Sequence, residues 1–248
     1  MAFLNGNKIL NVTYIEGDPE TRKEGYDKGY EDGAQSEYDK FWDAHQYNGT
    51  RNNYSDAFGG WMSENFCPKY SMYVTYAQYM FRQFKGEPID MVEHLKQYGL
   101  VLDFSGCGNF KGAFNATPFT RLGKIDMSNA FNTAFLFSYS RKLETIDELD
   151  IGENSSHSEY GDEFLCCDSL RNITIKGIIN RGGWDFGYCT KLTGESLKSI
   201  INALSSSLYL WITLPRTAVI NAFGSTDSDE WQNLINTKPN WSITLSWG

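Results

Sequence analysis

The sequence predicts an α/β fold of stacked units, each built from a turn or short helix followed by a short parallel strand. The first observation is a recurring frame of an aromatic residue, then a small residue and two apolar residues at successive three-residue steps. Clear copies begin at Phe137, Phe164 and Phe186, which are 27 and 22 residues apart. The second observation is a change to alternation within copies, as at Ile173 and Ile175, which is typical of a strand. Because one unit cannot bury its own apolar face, we expect the copies to stack as a solenoid.

The frame resembles the BspA-like leucine-rich repeat family, and its steps fall in the range of leucine-rich repeats. The resemblance covers residues 75–205 and implies that the aromatic, the Cys and the Leu point into a leucine-rich-repeat solenoid, with the Ile opening each strand. Cys107, Cys167 and Cys189 match the small buried position, and a weaker copy begins at Phe104. The family carries no catalytic residues, so the resemblance implies a protein that is not an enzyme.

Composition excludes several classes of function. The chain has 248 residues with 41% hydrophobic residues, which is enough for a sizeable core. Its formal net charge of −9 disfavours nucleic-acid binding, which needs clustered cations. The sequence contains no run of eighteen apolar residues, so no membrane span is predicted. No secretory signal is expected at the start. Five cysteines, an odd number in a chain of this size, are expected to be mostly reduced.

The amino-terminal part is expected to differ from the repeats. Residues 1–17 predict a β-hairpin because Asn5-Gly6 is a strong turn signal. Residues 18–72 predict a helix followed by an aromatic-rich connection, and the helix carries aromatic residues and glycines at a spacing of four. This face favours either association between copies or docking onto the same chain. The candidate oligomerisation residues are Tyr26, Gly29, Tyr30, Gly33, Tyr38 and Trp42.

The repeats are assigned to residues 73–205 and a C-terminal α/β cap to residues 206–248, since a solenoid end needs a cover. Near and within this cap, apolar periodicity and capping residues predict two helices and two strands. In chain order these elements are a helix at 195–203, a buried strand at 208–214, a helix at 227–235 and a closing strand at 240–247.

The amino-terminal segment is similar to the front parts of repeat proteins encoded by phages and prophages of gut-associated bacteria. That resemblance implies a virion- or tail-associated structural or adhesion protein, made in the bacterial cytoplasm and acting as a homo-oligomer or part of an assembly. Its partner would be a protein or a cell-surface glycan, with no cofactor. A bacterial cell-surface adhesin is the alternative, and a glycan-cleaving enzyme comes third.

Candidate binding residues are those expected to point outward from the strands, together with one tryptophan in a Gly-Gly-Trp sequence that could stack on a sugar. They are Lys124, Asp126, Arg171, Asn172, Thr174, Lys176 and Trp184.

An acidic stretch runs from Glu144 to Asp168, with nine carboxylates and no Lys or Arg. It fits a solvated loop better than a Ca²⁺ site or a patch for a basic partner, because no calcium-loop motif is present. The candidate Ca²⁺ ligands are Asp147, Asp150, Asp162 and Glu163. Three scattered histidines and the adjacent pair Cys166-Cys167 predict neither a zinc site nor a redox motif.

Overall fold

A computed structural model describes residues 2–4, 7–9, 41–44, 52–61, 66–153 and 161–247. Strands β1 (Ala2–Leu4) and β2 (Asn7–Ile9) pair antiparallel. Residues 18–40 of the expected amino-terminal helix lie outside the described residues, and residues 41–44 are helical.

Every other strand in the described part of the chain pairs in parallel, within three small sheets. The first sheet has the order β3 (Asn52–Asn53), β4 (Met72–Tyr76) and β6 (Leu102–Asp103). The second has the order β5 (Ile89–Asp90), β7 (Phe119–Asp126), β8 (Thr145–Asp150) and β9 (Asn172–Lys176). The third, called here the terminal sheet, has the order β10 (Trp184–Asp185), β11 (Leu210–Pro215) and β12 (Trp241–Ser246).

Besides residues 41–44, the described part of the chain has four helices that connect or cover these sheets: α1 (Met91–Gln97), α2 (Gly194–Ala203), α3 (Arg216–Phe223) and α4 (Asp229–Asn236). Three of them begin at a side-chain cap, from Asp90, Thr193 and Ser228 respectively for α1, α2 and α4. The predicted helices at 195–203 and 227–235 and the strands at 208–214 and 240–247 are confirmed to within two residues. Among the described residues, no helix is long and apolar enough to cross a membrane.

The predicted leucine-rich-repeat solenoid is wrong: the fold is α/β, with the parallel strands divided among three small sheets and few helices. The four-stranded sheet stops at β9 because α2 lies where a further strand would pair. The Oγ of Ser196 accepts the Ile173 N–H at 2.9 Å, and the Oγ of Ser199 accepts the Ile175 N–H at 2.8 Å. Two side-chain hydroxyls therefore accept hydrogen bonds from the N–H groups of β9 that would pair with another strand in the predicted solenoid.

Replacing Ser196 with alanine is expected to lower the free energy of unfolding by about 1–3 kcal/mol, because the buried Ile173 N–H loses its acceptor. Urea denaturation measures the loss, and faster amide exchange at Ile173 locates it. The exposed Ser206 provides the control, since Ser206→Ala removes no buried partner. Unchanged stability and exchange in Ser196→Ala would show that the hydroxyl does not hold the sheet edge.

A stack of phenylalanine rings forms the centre of the core. Neighbouring ring centroids lie 4.4–5.7 Å apart, and main-chain bonds join the turns that carry them, such as Phe114 N–H to Leu136 O at 2.9 Å. The sequence frame identified the last three rings but placed Phe104 in the series, whereas Phe104 packs edge-on against Phe114. The full series is Phe58, Phe81, Phe114, Phe137, Phe164 and Phe186.

The small residue three positions after a stacked phenylalanine donates a hydrogen bond to the preceding turn. Ser140 Oγ donates to the Phe114 carbonyl at 2.5 Å, and Cys167 Sγ donates to the Phe137 carbonyl at 3.1 Å. Burial raises the pKa of the Cys167 thiol, so it stays protonated and remains a donor. None of the five cysteines forms a disulfide. The shared hydrogen bond to the preceding turn accounts for Ser and Cys at this position.

Candidate ligand-binding surface

The outward side of the four-stranded sheet gathers charged and polar side chains from β5, β7, β8 and β9. Around the end of β7 the side chains alternate, so Ile125 and Met127 enter the core while Lys124 points outward. Parallel register sets Lys124 opposite Glu148, and it aligns Asp126, Asp150 and Lys176 in one row. We call this surface the strand face: Asp90, Arg121, Lys124, Asp126, Asp147, Glu148, Asp150, Asn172, Thr174 and Lys176.

Arg121 forms the first charge cluster of the strand face. Its Nε and one terminal nitrogen each lie 2.8 Å from an oxygen of Asp147, and the other terminal nitrogen lies 3.9 Å from Asp90. The hydrogen bonds and charge of Asp147 raise the pKa of Arg121. A bidentate pair fixes the orientation of the guanidinium as well as its charge.

Asp150 forms the second cluster, between two lysines. Its Oδ2 lies 2.6 Å from Lys176 Nζ and 3.7 Å from Lys124 Nζ, and Lys124 also contacts Glu148 at 3.1 Å. Burial opposes ionisation of Asp150, but the hydrogen bonds from Lys176 and the Gly152 N–H, together with both lysine charges, outweigh it and lower the pKa of the carboxyl. Asp150 is therefore a fixed negative charge that positions two exposed ammonium groups.

Most predicted binding residues come together here. Lys124, Asn172, Thr174 and Lys176 are exposed on the strand face and Asp126 is half-buried there, while Arg171 is exposed just before β9. The prediction that Trp184 is a binding residue is wrong, because Trp184 is only 2% exposed in β10 and cannot contact a surface ligand. Its ring lies 5.9 Å from those of Phe164 and Phe186, with the Arg181 guanidinium 4.9 Å away on it.

The candidate Ca²⁺ ligands do not converge. Asp147 and Asp150 pair with the cations described above, and Glu163 is 1% exposed in an ion pair with Arg181. Glu163 also accepts a hydrogen bond from Thr133 Oγ1 at 2.9 Å. Within the described ranges, no group of three or more His, Cys, Asp or Glu side chains could hold a metal ion. Residues 154–160 of the acidic stretch lie outside those ranges.

Trp42 is not accessible to another chain. Its residue is wholly buried, and its ring stacks on Phe58 at 5.7 Å and meets Phe41 edge-on at 5.3 Å. At Trp42, therefore, the helix packs against its own chain, which is the second of the two predicted alternatives. The other candidate oligomerisation residues, Tyr26, Gly29, Tyr30, Gly33 and Tyr38, lie outside the described residues.

The sequence missed two exposed rings on the terminal sheet. Tyr209 is 90% and Trp211 55% exposed, although residues 208–214 were interpreted as a buried strand. The signal was present, because Tyr209 and Trp211 alternate with Leu210, Ile212 and Leu214, as expected when one side of a strand faces solvent.

No protein-family model matches the chain, and comparison with curated proteins and with solved structures gave no match.

Proposed function

We propose that the protein is a non-enzymatic structural or adhesion protein of a phage virion, which binds a bacterial surface protein or another virion protein through its strand face. The phage assignment is supported by the resemblance of the amino-terminal segment. The binding role is supported by the strand face itself. The observation that carries it is the display of three cations, each held in place by a carboxylate of the adjacent strand.

Such an arrangement suits recognition of a protein because its charges are already oriented. The side chains of Lys124 and Lys176 are more than half exposed, yet both contact Asp150. Strands hold these groups more rigidly than loops would, so less side-chain freedom is lost on binding. Alternating positive and negative groups select a partner with the complementary alternation and disfavour a uniformly charged polymer.

The same contacts favour binding over glycan cleavage. Hydrolysis of a glycosidic bond uses two carboxylates that face the scissile bond. On the strand face, the carboxylates of Asp147, Glu148 and Asp150 face lysine or arginine side chains of adjacent strands. Charge pairing occupies the groups that hydrolysis would need.

Reversing two charges tests the proposal. The double variant Lys124→Glu/Lys176→Glu is expected to bind about tenfold or more weakly to intact cells of the host bacterium, or to the purified virion lacking this protein, because the reversed charges repel the same partner. Fluorescence-detected binding over a range of salt concentrations measures the effect, and wild-type binding should weaken as salt rises.

Lys191→Glu is the matched control, since Lys191 is an exposed lysine after the Phe186 turn, away from the strand face. If Lys191→Glu weakens binding as much as the double variant does, the effect comes from net charge and not from the strand face. Salt-independent attachment that survives the double variant would overturn the proposed role of the strand face. Tail or baseplate genes beside the coding sequence would support the phage assignment, and their absence would count against it.

A further inference from the structure

A cleft of about 400 Å³ opens at the amino ends of β11 and β12, on the terminal sheet and not on the strand face. It is shallow and wide open to solvent, so a ligand would lie across it and would not be enclosed. The residues that line it carry no charge. They are Tyr209, Leu210, Trp211, Pro239, Asn240, Trp241 and Ser242.

Trp211 forms one wall of the cleft, and the main chain holds its ring in place. A Cβ atom added at Gly182 would lie 2.8 Å from Trp211 Cε3, so the ring packs directly on this glycine. The Gly183 N–H also donates to the Trp211 carbonyl at 3.0 Å. Since Trp211 nevertheless remains 55% exposed, one side of the indole is fixed and much of the rest is open.

Tyr209 extends the aromatic surface. It lies two residues before Trp211, which places both side chains on the same side of the chain at a separation of roughly 7 Å along it. Tyr209 is 90% exposed. Trp211 thus supplies a fixed ring, and Tyr209 adds a freely exposed ring to the same lining.

Hydrogen bonds also fix the neighbouring part of the lining, at the start of β12. Asn240 Nδ2 donates to the carbonyls of Ser205, at 3.1 Å, and Leu208, and Trp241 Nε1 donates to the Ser205 carbonyl at 2.7 Å. Lys238 Nζ reaches the Asn202 carbonyl at 3.1 Å, at the end of α2, so its charge is directed away from the cleft. The walls are therefore formed before any ligand arrives.

Asn240 also carries an acceptor without a partner. Because its amide nitrogen is taken by two carbonyls, Oδ1 is left as an acceptor, and this atom is shielded from solvent with no hydrogen bond. An unpaired buried acceptor costs free energy, but because Oδ1 is shielded from solvent, a ligand hydroxyl could donate to it only after neighbouring groups move. The exposed hydroxyl of Ser242 lies beside it on the rim.

We propose that this cleft binds a neutral carbohydrate, a role separate from partner binding by the strand face. The flat rings of Trp211 and Tyr209 match the C–H faces of sugar rings, and the exposed Ser242 in the lining matches sugar hydroxyls. A charged ligand would find no counter-ion among the lining residues and would lose hydration without compensation.

The probes are three neutral tetrasaccharides: β-1,4-linked glucose, β-1,4-linked N-acetylglucosamine and α-1,4-linked glucose. Saturation-transfer NMR and tryptophan fluorescence are expected to detect at least one of them with a Kd of about 1 mM or below. Trp211→Ala should weaken that binding at least about tenfold, since the main stacking surface is lost. Gly182→Ala should weaken it by displacing the same ring.

Trp247→Ala is the matched control, because Trp247 is a 72% exposed tryptophan outside the cleft, packed on Arg216 at 4.7 Å. It should bind like the wild type. If Gly182→Ala does not fold, Trp211→Ala decides, because it removes a largely exposed side chain. No binding of any probe at about 10 mM, or equal binding by wild type and Trp211→Ala, would overturn the proposal. Self-association that Trp211→Ala abolishes would overturn it too, by identifying a second copy as the occupant.

The strand-face variant Lys124→Glu/Lys176→Glu separates this proposal from the proposed function. It should keep wild-type tetrasaccharide binding even where it no longer attaches to cells or virions. Wild-type protein that binds a tetrasaccharide but does not attach to cells or virions would remove the proposed function alone, and attachment without saccharide binding would remove only the carbohydrate site.

Discussion

Replacing Glu163 with alanine is expected to lower the free energy of unfolding by about 3–5 kcal/mol. Glu163 is 1% exposed and pairs with Arg181, whose side chain is 10% exposed. Thr133 Oγ1 donates to the same carboxylate at 2.9 Å. Removing the carboxylate leaves a buried guanidinium without its counter-ion, and that desolvated charge is the source of the loss.

Urea denaturation followed by tryptophan fluorescence measures this change. Glu148→Ala is the control, because its partner Lys124 is more than half exposed, and such surface pairs contribute about 0–1 kcal/mol. The double variant Glu163→Met/Arg181→Met should recover much of the lost stability, since it removes both charges together. A loss in Glu163→Ala as small as in Glu148→Ala would contradict the buried pair.

Replacing Phe137 with alanine should lower the free energy of unfolding by about 3–5 kcal/mol, because it opens a cavity within the phenylalanine stack. The ring is fully buried, 5.7 Å from Phe114 and 5.2 Å from Phe164. Thermal and urea unfolding measure the loss. Phe137→Leu keeps part of the volume and should lose less than the alanine variant.

Phe135 offers a matched control two residues away. It is 42% exposed, and its backbone is left-handed, with a φ of 60°. Phe135→Ala opens no cavity and should change stability by less than about 1 kcal/mol. Equal losses at the two positions would mean that the stack does not dominate the core.

Local patterns predicted the elements whose signals lie within a few residues. Helix α2 and strands β11 and β12 were found from periodicity, and α4 from the acidic residues of its first turn. Phe137 and Phe164 were recognised because the small and apolar residues that follow them keep regular three-residue steps. Phe81 and Phe114 escaped because the frame is not kept after them. At three-residue steps Phe81 is followed by Phe84, Glu87 and Asp90, and Phe114 by Thr117, Thr120 and Gly123.

The predicted solenoid was wrong because a long-range contact ends the four-stranded sheet. Whether a parallel sheet continues depends on what meets the edge of its last strand, and Ser196 and Ser199 meet β9 in this protein. In the sequence these serines read as ordinary polar positions of an amphipathic helix. Hydrogen bonds across 23 and 24 residues leave no mark in local periodicity.

The binding surface divides in the same way. Alternation at the end of β7 and along β9 placed Lys124 and Lys176 on the solvent side, and this depends only on the local period of a strand. Their pairing with Asp150 depends on the register between strands. That register places lysines of β7 and β9 beside the carboxylates of β8, so part of the acidic stretch is neutralised in ion pairs. Side-chain direction follows from local covalent geometry and can be read along the chain. Burial of Trp42 and Trp184, exposure of Trp211 and the partners of each charge depend on contacts between distant segments, which arise only when the chain has folded.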